Sequence, residues 1–146
     1  MTTDLSGRVV TDLIFADSNI TVVNIWTTNS EPCIALQPKL WQLGKEVNEV
    51  KIITLIGNND IEAAKKITVD CPSDFVNLIV NGDFENFLST IHSAPTTIFV
   101  DNQLNIIGQA VIGDDIELIR QEINHLIEAN SSDYKNQQSI QESLFR

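Results

Sequence analysis

The feature that most constrains the fold is a buried strand that leads directly into the first turn of a helix. Residues Thr21 to Trp26 (TVVNIW) are β-branched or apolar apart from Asn24, which is typical of a strand covered on both faces. From Glu31 to Val47, apolar residues recur at helical spacing, and Pro38 inside that helix should kink it. The sequence therefore predicts a strand–helix unit whose connection ends at Ser30 and whose first helical turn carries Cys33.

Strands and helices alternate along the rest of the chain. The other predicted strands are Lys51 to Gly57, Phe75 to Val80, Thr96 to Val100 and Asn105 to Val111, with Arg8 to Val10 as a short edge strand or the end of an N-terminal hairpin. The other predicted helices are Asp60 to Thr68 with Asn59 as N-cap, Phe84 to Ile91, and Asp114 to Glu128. This order indicates an α/β fold in which helices flank a central mixed β-sheet.

Length and composition indicate one domain followed by a polar tail. A chain of 146 residues buries about two-thirds of its unfolded surface when it folds, which is enough for a real core. Residues 1–129 form the predicted domain. Residues 130–146 are rich in Ser, Asn and Gln, and they form a predicted mobile tail with a marginal helix from Tyr134 to Leu144.

The charge of the chain excludes several classes of partner. Its net charge is −11, so nucleic acids and anionic membrane surfaces should be repelled. No window approaches the ~20 apolar residues of a membrane span, and Met1 to Arg8 lacks the layout of a signal peptide. As written, the sequence predicts a cytoplasmic protein, or an extracytoplasmic one if an export or anchor segment has been removed.

The two cysteines restrict the chemistry further. They are too few for a disulfide framework, and no Cys/His spacing resembles a metal site, so no cofactor is expected. A dithiol site needs an attacking thiolate on the first turn of a helix and a second thiol, three residues later, that resolves the mixed disulfide. Ser30 occupies the first of these positions, and only Cys33 keeps its sulfur. A serine hydroxyl stays protonated and cannot hold a disulfide, so the two-cysteine cycle is closed.

Two segments resemble a known family. Residues 24–33 read N-I-W-T-T-N-S-E-P-C, Pro38 follows in register, and residues 94–101 read A-P-T-T-I-F-V-D. From about Asp4 to Ile127, the chain resembles the redoxin and TlpA-like branch of the thioredoxin superfamily. Members typically read N-F-W-A-T-W-C-x-P-C-x-x-E-x-P and, far downstream, V-P-T-T-F-x-x-D. The resemblance implies a thioredoxin-like fold with an extra helix–strand insertion between the strands at Lys51 and Thr96, and descent from thiol-disulfide oxidoreductases.

The departures from the family pattern gather at the site. Asn29 replaces the aromatic residue before the first cysteine, Ser30 replaces the nucleophile, and Leu36 replaces an acid. Because three positions of the site differ from the family pattern, natural loss of the dithiol site explains them better than a single engineered mutation does. The scaffold positions are kept: Trp26, Pro32, Pro38 and Pro95.

The resemblance also implies a binding surface. In the family, the X-Pro bond at Pro95 is cis, and its loop faces the cysteine motif and pairs with the backbone of a bound substrate. The candidate substrate-binding residues are therefore Asn29, Glu31, Pro32, Ala94 and Pro95. The implied partner is a protein or peptide with a thiol or a disulfide.

Cys33 has alternative interpretations. As the second cysteine of such a motif it is expected to be buried and inert, which is the favoured interpretation, yet its place in the first helical turn also permits monothiol chemistry. A disulfide to Cys71 is disfavoured because the family fold does not bring Cys71 to the site.

Ser30 and the histidines also have alternatives. Ser30 is a good helix N-cap, and its hydroxyl is expected to bond a free N–H of the first turn. A hydrolytic pair of Ser30 with His92 is disfavoured, because no acid orients His92 and no Gly-x-Ser-x-Gly turn exists. His125 is expected at the surface.

The sequence thus predicts a TlpA- or redoxin-type protein related to thiol-disulfide oxidoreductases, with a degenerate Ser-x-x-Cys site. Its leading function is monothiol redox chemistry through Cys33. The alternative is a non-catalytic peptide-binding module that uses the Pro95 face.

Overall fold

A five-stranded sheet, a small hairpin and three α-helices form the part of the chain that this computed structural model describes, namely residues 2–58, 60–72, 75–79 and 94–144. The strands are β1 (Thr2–Thr3), β2 (Val9–Val10), β3 (Thr21–Trp26), β4 (Lys51–Ile56), β5 (Val76–Ile79), β6 (Thr96–Val100) and β7 (Ile106–Ile112). The helices are α1 (Glu31–Glu46), α2 (Ile61–Ile67) and α3 (Ile116–Leu144), and a 3₁₀ helix covers Asp12–Phe15.

The sheet is mixed, as the sequence predicted. Its strand order is β5-β4-β3-β6-β7, in which β3 pairs with β4 in parallel and with β6 antiparallel. Strand β3 lies at the centre because all six of its residues are buried and need cover on both faces. Strands β1 and β2 form an N-terminal hairpin, and the residue after β1, Asp4, bridges to Leu78 at the outer edge of β5.

Two apolar layers hold the sheet between its neighbours. On one face, α1 and α3 pack against Val22 and Phe99, both completely buried. The helical residues that contribute are Leu36, Leu40 and Leu43 from α1 and Ile119, Ile123 and Leu126 from α3. On the other face, Phe15 of the 3₁₀ helix packs with side chains of β3, β4, β5 and β6, among them Val23, Ile53, Leu78 and Ile98. Burial on both faces explains the nearly continuous apolar runs of β3 and β4.

The start of α2 differs from the sequence-based prediction. The N-cap is Asp60 rather than Asn59, and the Asp60 carboxylate accepts a hydrogen bond from the N–H of Ala63 at 3.1 Å. The predicted cap was wrong because two adjacent residues were both good caps, and only backbone geometry selects between them. The predicted helix from Phe84 to Ile91 and the last residue of the predicted strand ending at Val80 lie outside the described residues.

Helix α3 is longer than predicted. It runs without interruption from Ile116 to Leu144, so the predicted helix end at Glu128 was wrong. No glycine or proline occurs from Asp114 onward, so nothing in the local sequence forces the helix to stop. The polar segment assigned to the tail therefore continues the backbone of α3 as far as Leu144, and its treatment as a separate tail remains a prediction.

The β6–β7 hairpin is closed by Asp101 and distorted at Gly108. The Asp101 carboxylate accepts hydrogen bonds from the backbone N–H groups of Asn105 and Gln103, both at 2.9 Å, and the bonds from Asn105 hold the pKa of this carboxyl below its ordinary value. Further along β7, the segment Gly108 to Ala110 lies opposite only Ile98, which makes a β-bulge. Gly108 has φ of 65°, and a Cβ there would collide with the Glu122 carboxylate.

Candidate functional site

The predicted site residues meet at one end of the β3–β6 pair. The two strands are antiparallel, with Ile25 opposite Thr96, so the end of β3 lies beside the start of β6. The connection 27–30 follows β3 and the Ala94–Pro95 segment precedes β6, which places both at this end of the sheet. The Ala94–Pro95 peptide bond is cis. The carbonyl of Pro95 accepts a hydrogen bond from the N–H of Gly113 at 2.8 Å, which anchors this segment to the end of β7.

The two residues that follow β4 hold the connection between β3 and α1. The N–H of Thr28 donates to the Asn58 side-chain oxygen at 3.2 Å, and the Asn58 amide donates back to the Thr28 hydroxyl at 2.7 Å. The N–H of Gly57 donates to the carbonyl of Trp26 at 2.7 Å. These bonds fix the backbone that leads to Ser30 before the helix begins.

Ser30 occupies the N-cap position of α1 in an extended conformation. Its carbonyl accepts the first helical hydrogen bond, from the N–H of Ile34 at 3.1 Å. The predicted position is confirmed, but the predicted capping bond is not made, because the hydroxyl has no bond to the first turn. Ser30 is partly exposed, and its hydroxyl accepts no hydrogen bond from the first turn of α1. This is the position at which a dithiol site presents its nucleophile.

Cys33 lies in the first turn of α1 and is completely buried. It packs in an apolar cluster with Trp26, Ile56 and Ala64. The prediction of a buried sulfur is confirmed, and no disulfide joins it to Cys71. In this arrangement Cys33 packs as a small apolar side chain, and its sulfur is closed to solvent.

A chain of buried polar side chains lies beside Cys33. The Gln37 amide donates to the carbonyl of Cys33 at 3.4 Å and to the Asn24 side-chain oxygen at 3.2 Å, and the Asn24 amide donates to the Thr97 hydroxyl at 3.0 Å. All three side chains have zero exposure. This polar chain connects the first turn of α1 to β6 two residues after Pro95, so the two halves of the site are held together through the core.

Sequence analysis missed the roles of Gln37 and Thr97. One signal was present, because Gln37 lies four residues after Cys33 and therefore on the same helix face, among residues predicted to be apolar. Asn24 was likewise the one polar amide in an otherwise apolar strand. A polar residue predicted to be buried needs a partner, but the sequence does not identify that partner.

All but one of the remaining predicted binding residues lie where the site meets solvent. Asn29, Glu31, Pro32 and Ala94 are exposed, and Pro95 is buried. His92 is outside the described residues, so the pair with Ser30 stays untested. His125 is at the surface as predicted, with 71% of its side chain exposed.

Two further searches covered only the described ranges. Within them, no cluster of three or more His, Cys, Asp or Glu side chains has a geometry that could hold a metal ion. No helix in the same ranges combines the length and the apolar character needed to cross a bilayer.

Comparison with known proteins identifies the fold. Neither family models nor curated proteins match the chain significantly. Among solved structures, it is similar to the thioredoxin domain of a thiol-disulfide oxidoreductase from Bacteroides vulgatus, with 20% identity, a TM-score of 0.68, and 84% of this chain and 90% of that chain covered. It is also similar to dsbF from MTB, with 20% identity, a TM-score of 0.67 and coverages of 84% and 92%.

A third similar structure is a thioredoxin-like protein from Aeropyrum pernix, with 12% identity, a TM-score of 0.68 and coverages of 85% and 87%. These similarities extend over most of each chain. The protein therefore has the thioredoxin-like fold that its sequence predicted, with a central mixed sheet flanked by helices. Its structural neighbours include the thioredoxin domain of a thiol-disulfide oxidoreductase and a secreted disulfide oxidoreductase.

Proposed function

We propose that the protein is a thioredoxin-like protein of the thiol-disulfide oxidoreductase type whose Ser30-x-x-Cys33 site has lost dithiol turnover. The observation that carries this proposal is the placement of the Ser30–Cys33 turn and the cis Ala94–Pro95 segment at the same end of the sheet. A partner that lies across this end contacts both segments at once. The similarity to the thioredoxin domain of a thiol-disulfide oxidoreductase supports a protein thiol or disulfide as that partner.

Cys33 supplies the only sulfur in the proposed site, so its redox chemistry is that of a monothiol. Its thiolate attacks a partner disulfide, forms a mixed disulfide with one half and releases the other half as a thiolate. No second thiol is present in the Ser30–Cys33 turn to resolve the product. The mixed disulfide therefore persists until an external thiol, such as a small cytosolic or secreted dithiol, attacks it.

A second candidate function is a binding module without redox chemistry. The complete burial of Cys33 favours it, because the sulfur is not accessible in the folded protein. The exposed residues Asn29, Glu31, Pro32 and Ala94 then provide the contact surface around Pro95. In this candidate, the polar chain through Gln37 keeps the surface rigid rather than positioning a thiol.

Alkylation of the native protein separates the two candidates. We expect iodoacetamide to label Cys71, which is partly exposed, and to label Cys33 much more slowly, because the sulfur of Cys33 is buried. Peptide mass spectrometry at a series of pH values gives the rate for each cysteine. If the labelling rate of Cys33 reaches half its maximum at a pH below the ~8.5 of an ordinary thiol, Cys33 is a reactive monothiol. Labelling of Cys33 only after unfolding rules out monothiol chemistry and leaves the binding module as the remaining candidate.

Two substitutions test the same question through a partner. If Cys33 is the reacting group, Cys33→Ser should abolish trapping of a peptide disulfide as a mixed disulfide, and Pro95→Thr should only weaken it. If the protein only binds, Cys33→Ser should leave peptide capture unchanged, while Pro95→Thr reduces it. Thermal unfolding of both variants serves as the control. Losses of capture that merely parallel losses of stability would contradict both assignments.

A further inference from the structure

A groove separates the edge strand β7 from helix α3. It has a volume of about 440 Å³, and its walls include Gln109 and Ile112 from β7 and Leu118, Gln121, Glu122 and His125 from α3. The α3 residues occur at helical spacing and therefore share one helix face. Neither Ser30 nor Cys33 lines this groove, so it is distinct from the candidate site.

The rim of the groove is apolar. Ile112 and Leu118 are 70% and 48% exposed, although both are large apolar residues. Large apolar side chains that face each other across a groove favour contact with a partner over contact with water. The rim alone does not select the partner.

The floor of the groove carries a carboxylate that lacks a strong cationic partner. Glu122 is only 17% exposed, and its Oε1 accepts a hydrogen bond from the N–H of Gln109 at 3.4 Å. Its one ion-pair neighbour within the described ranges is His125 at 3.4 Å, which is charged only when protonated. The nearby Arg120 is already bound by Glu117 and Glu46. The groove therefore offers a negative charge to an incoming cation.

We propose that this groove binds a segment of a partner protein that presents a lysine or arginine between apolar residues. The cationic head pairs with Glu122, the aliphatic stem crosses the rim, and the neighbouring apolar side chains contact Ile112 and Leu118. Charge selects this occupant: a second copy of a chain with net charge −11 is repelled, whereas a basic segment is attracted.

The β7 bulge determines how this segment is recognised. At Gly108 to Ala110 the strand departs from its register, and the N–H of Gln109 is already bonded to Glu122. A continuous ladder of backbone hydrogen bonds along β7 is therefore interrupted, and recognition depends on side chains. Ile112 lies opposite Thr96, so the groove ends beside the Pro95 segment without depending on its chemistry.

The test uses three fluorescent nine-residue peptides that contain no thiol: alternating valine and lysine, alternating valine and glutamate, and alternating valine and glutamine. We expect the lysine peptide to bind the full chain in fluorescence anisotropy, and the other two not to bind. Glu122→Gln should weaken binding by about tenfold, because it removes the charge while keeping an oxygen for the N–H of Gln109. Leu118→Ser should weaken binding as well.

Matched controls distinguish a specific groove from general attraction to an acidic protein. Glu128→Gln makes the same charge change at an exposed position of α3 outside the groove, and it should leave binding unchanged. Equal losses for Glu122→Gln and Glu128→Gln, or equal binding of the lysine and glutamine peptides, would overturn the proposal. Cys33→Ser should bind like the unaltered protein, which separates this result from any failure of the proposed redox function.

Discussion

Ser30→Cys is expected to create a disulfide between positions 30 and 33 and to give the protein an insulin-reducing activity that it otherwise lacks. Position 30 is the N-cap of the 16-residue helix α1, where unpaired N–H groups and the helix dipole stabilise a thiolate and lower the pKa of a thiol below ~8.5. Cys33 lies within the same first turn and supplies the resolving sulfur. The substitution therefore restores the one chemical group that the dithiol cycle is missing.

Intact mass and insulin turbidity measure the two parts of this prediction. Oxidised Ser30→Cys should be two hydrogens lighter than its reduced form, with dithiothreitol restoring the mass. Ser30→Ala and the double variant Ser30→Cys, Cys33→Ser are the matched controls, and neither should reduce insulin. A disulfide without insulin reduction would show that Asn29 and Leu36 also limit the activity. Failure to form the disulfide would contradict the placement of positions 30 and 33 in one helical turn.

Asn24→Ala is expected to lower the free energy of unfolding by about 3 kcal/mol. The substitution leaves the buried Thr97 hydroxyl without its donor and deprives the Gln37 amide of one acceptor, and each unsatisfied buried group costs about 1–3 kcal/mol. The cavity left by the Asn24 side chain adds to the loss. Gln37→Leu should cost less, because among the described residues the Gln37 Oε1 atom has no hydrogen-bond partner, and its removal offsets part of the lost donation to Asn24.

Urea denaturation measures these changes, and a double-mutant cycle isolates the contact. Asn24→Ala combined with Thr97→Val should be less destabilising than the sum of the two single changes, because the second change removes the group that the first leaves unpaired. Asn102→Ala, at an exposed turn position, is the control and should change stability by less than about 0.5 kcal/mol. Simple additivity of the pair would show that the Asn24–Thr97 hydrogen bond contributes nothing.

Much of the fold could be predicted from the sequence because its central strands are buried on both faces. Such strands carry continuous apolar runs, and Thr21 to Trp26 has the bounds in the structure that its sequence predicts. The strand order could not be derived from the spacing of apolar residues, because that spacing describes one strand or helix, whereas the order depends on contacts between strands. The thioredoxin-like fold was predicted instead from the resemblance of the segments at Cys33 and Pro95 to a known family, and the structural similarities confirm that fold.

The parts of the site that could not be predicted depend on contacts between distant segments. Serine is a good cap in general, but whether the Ser30 hydroxyl reaches an N–H depends on its backbone and rotamer. The hydrogen bond between Asn24 and Thr97 joins residues far apart in sequence, so no local pattern indicates it. Glu122 is 17% exposed, and its carboxylate occupies space that a side chain at position 108 would fill.

Both edge strands of the sheet are interrupted, β7 by the bulge at Gly108 and β5 by a backbone hydrogen bond from the N-terminal segment, and both interruptions bear on aggregation. An edge strand with a regular row of unpaired N–H and C=O groups is a template on which other chains can stack into fibres. Along β7 the row is broken at the bulge, and beside β5 the N–H of Leu5 already donates to the carbonyl of Asn77. Neither edge of the sheet therefore offers an uninterrupted row of backbone groups, which disfavours edge-to-edge stacking of chains even though Ile106 and Ile112 leave apolar surface exposed.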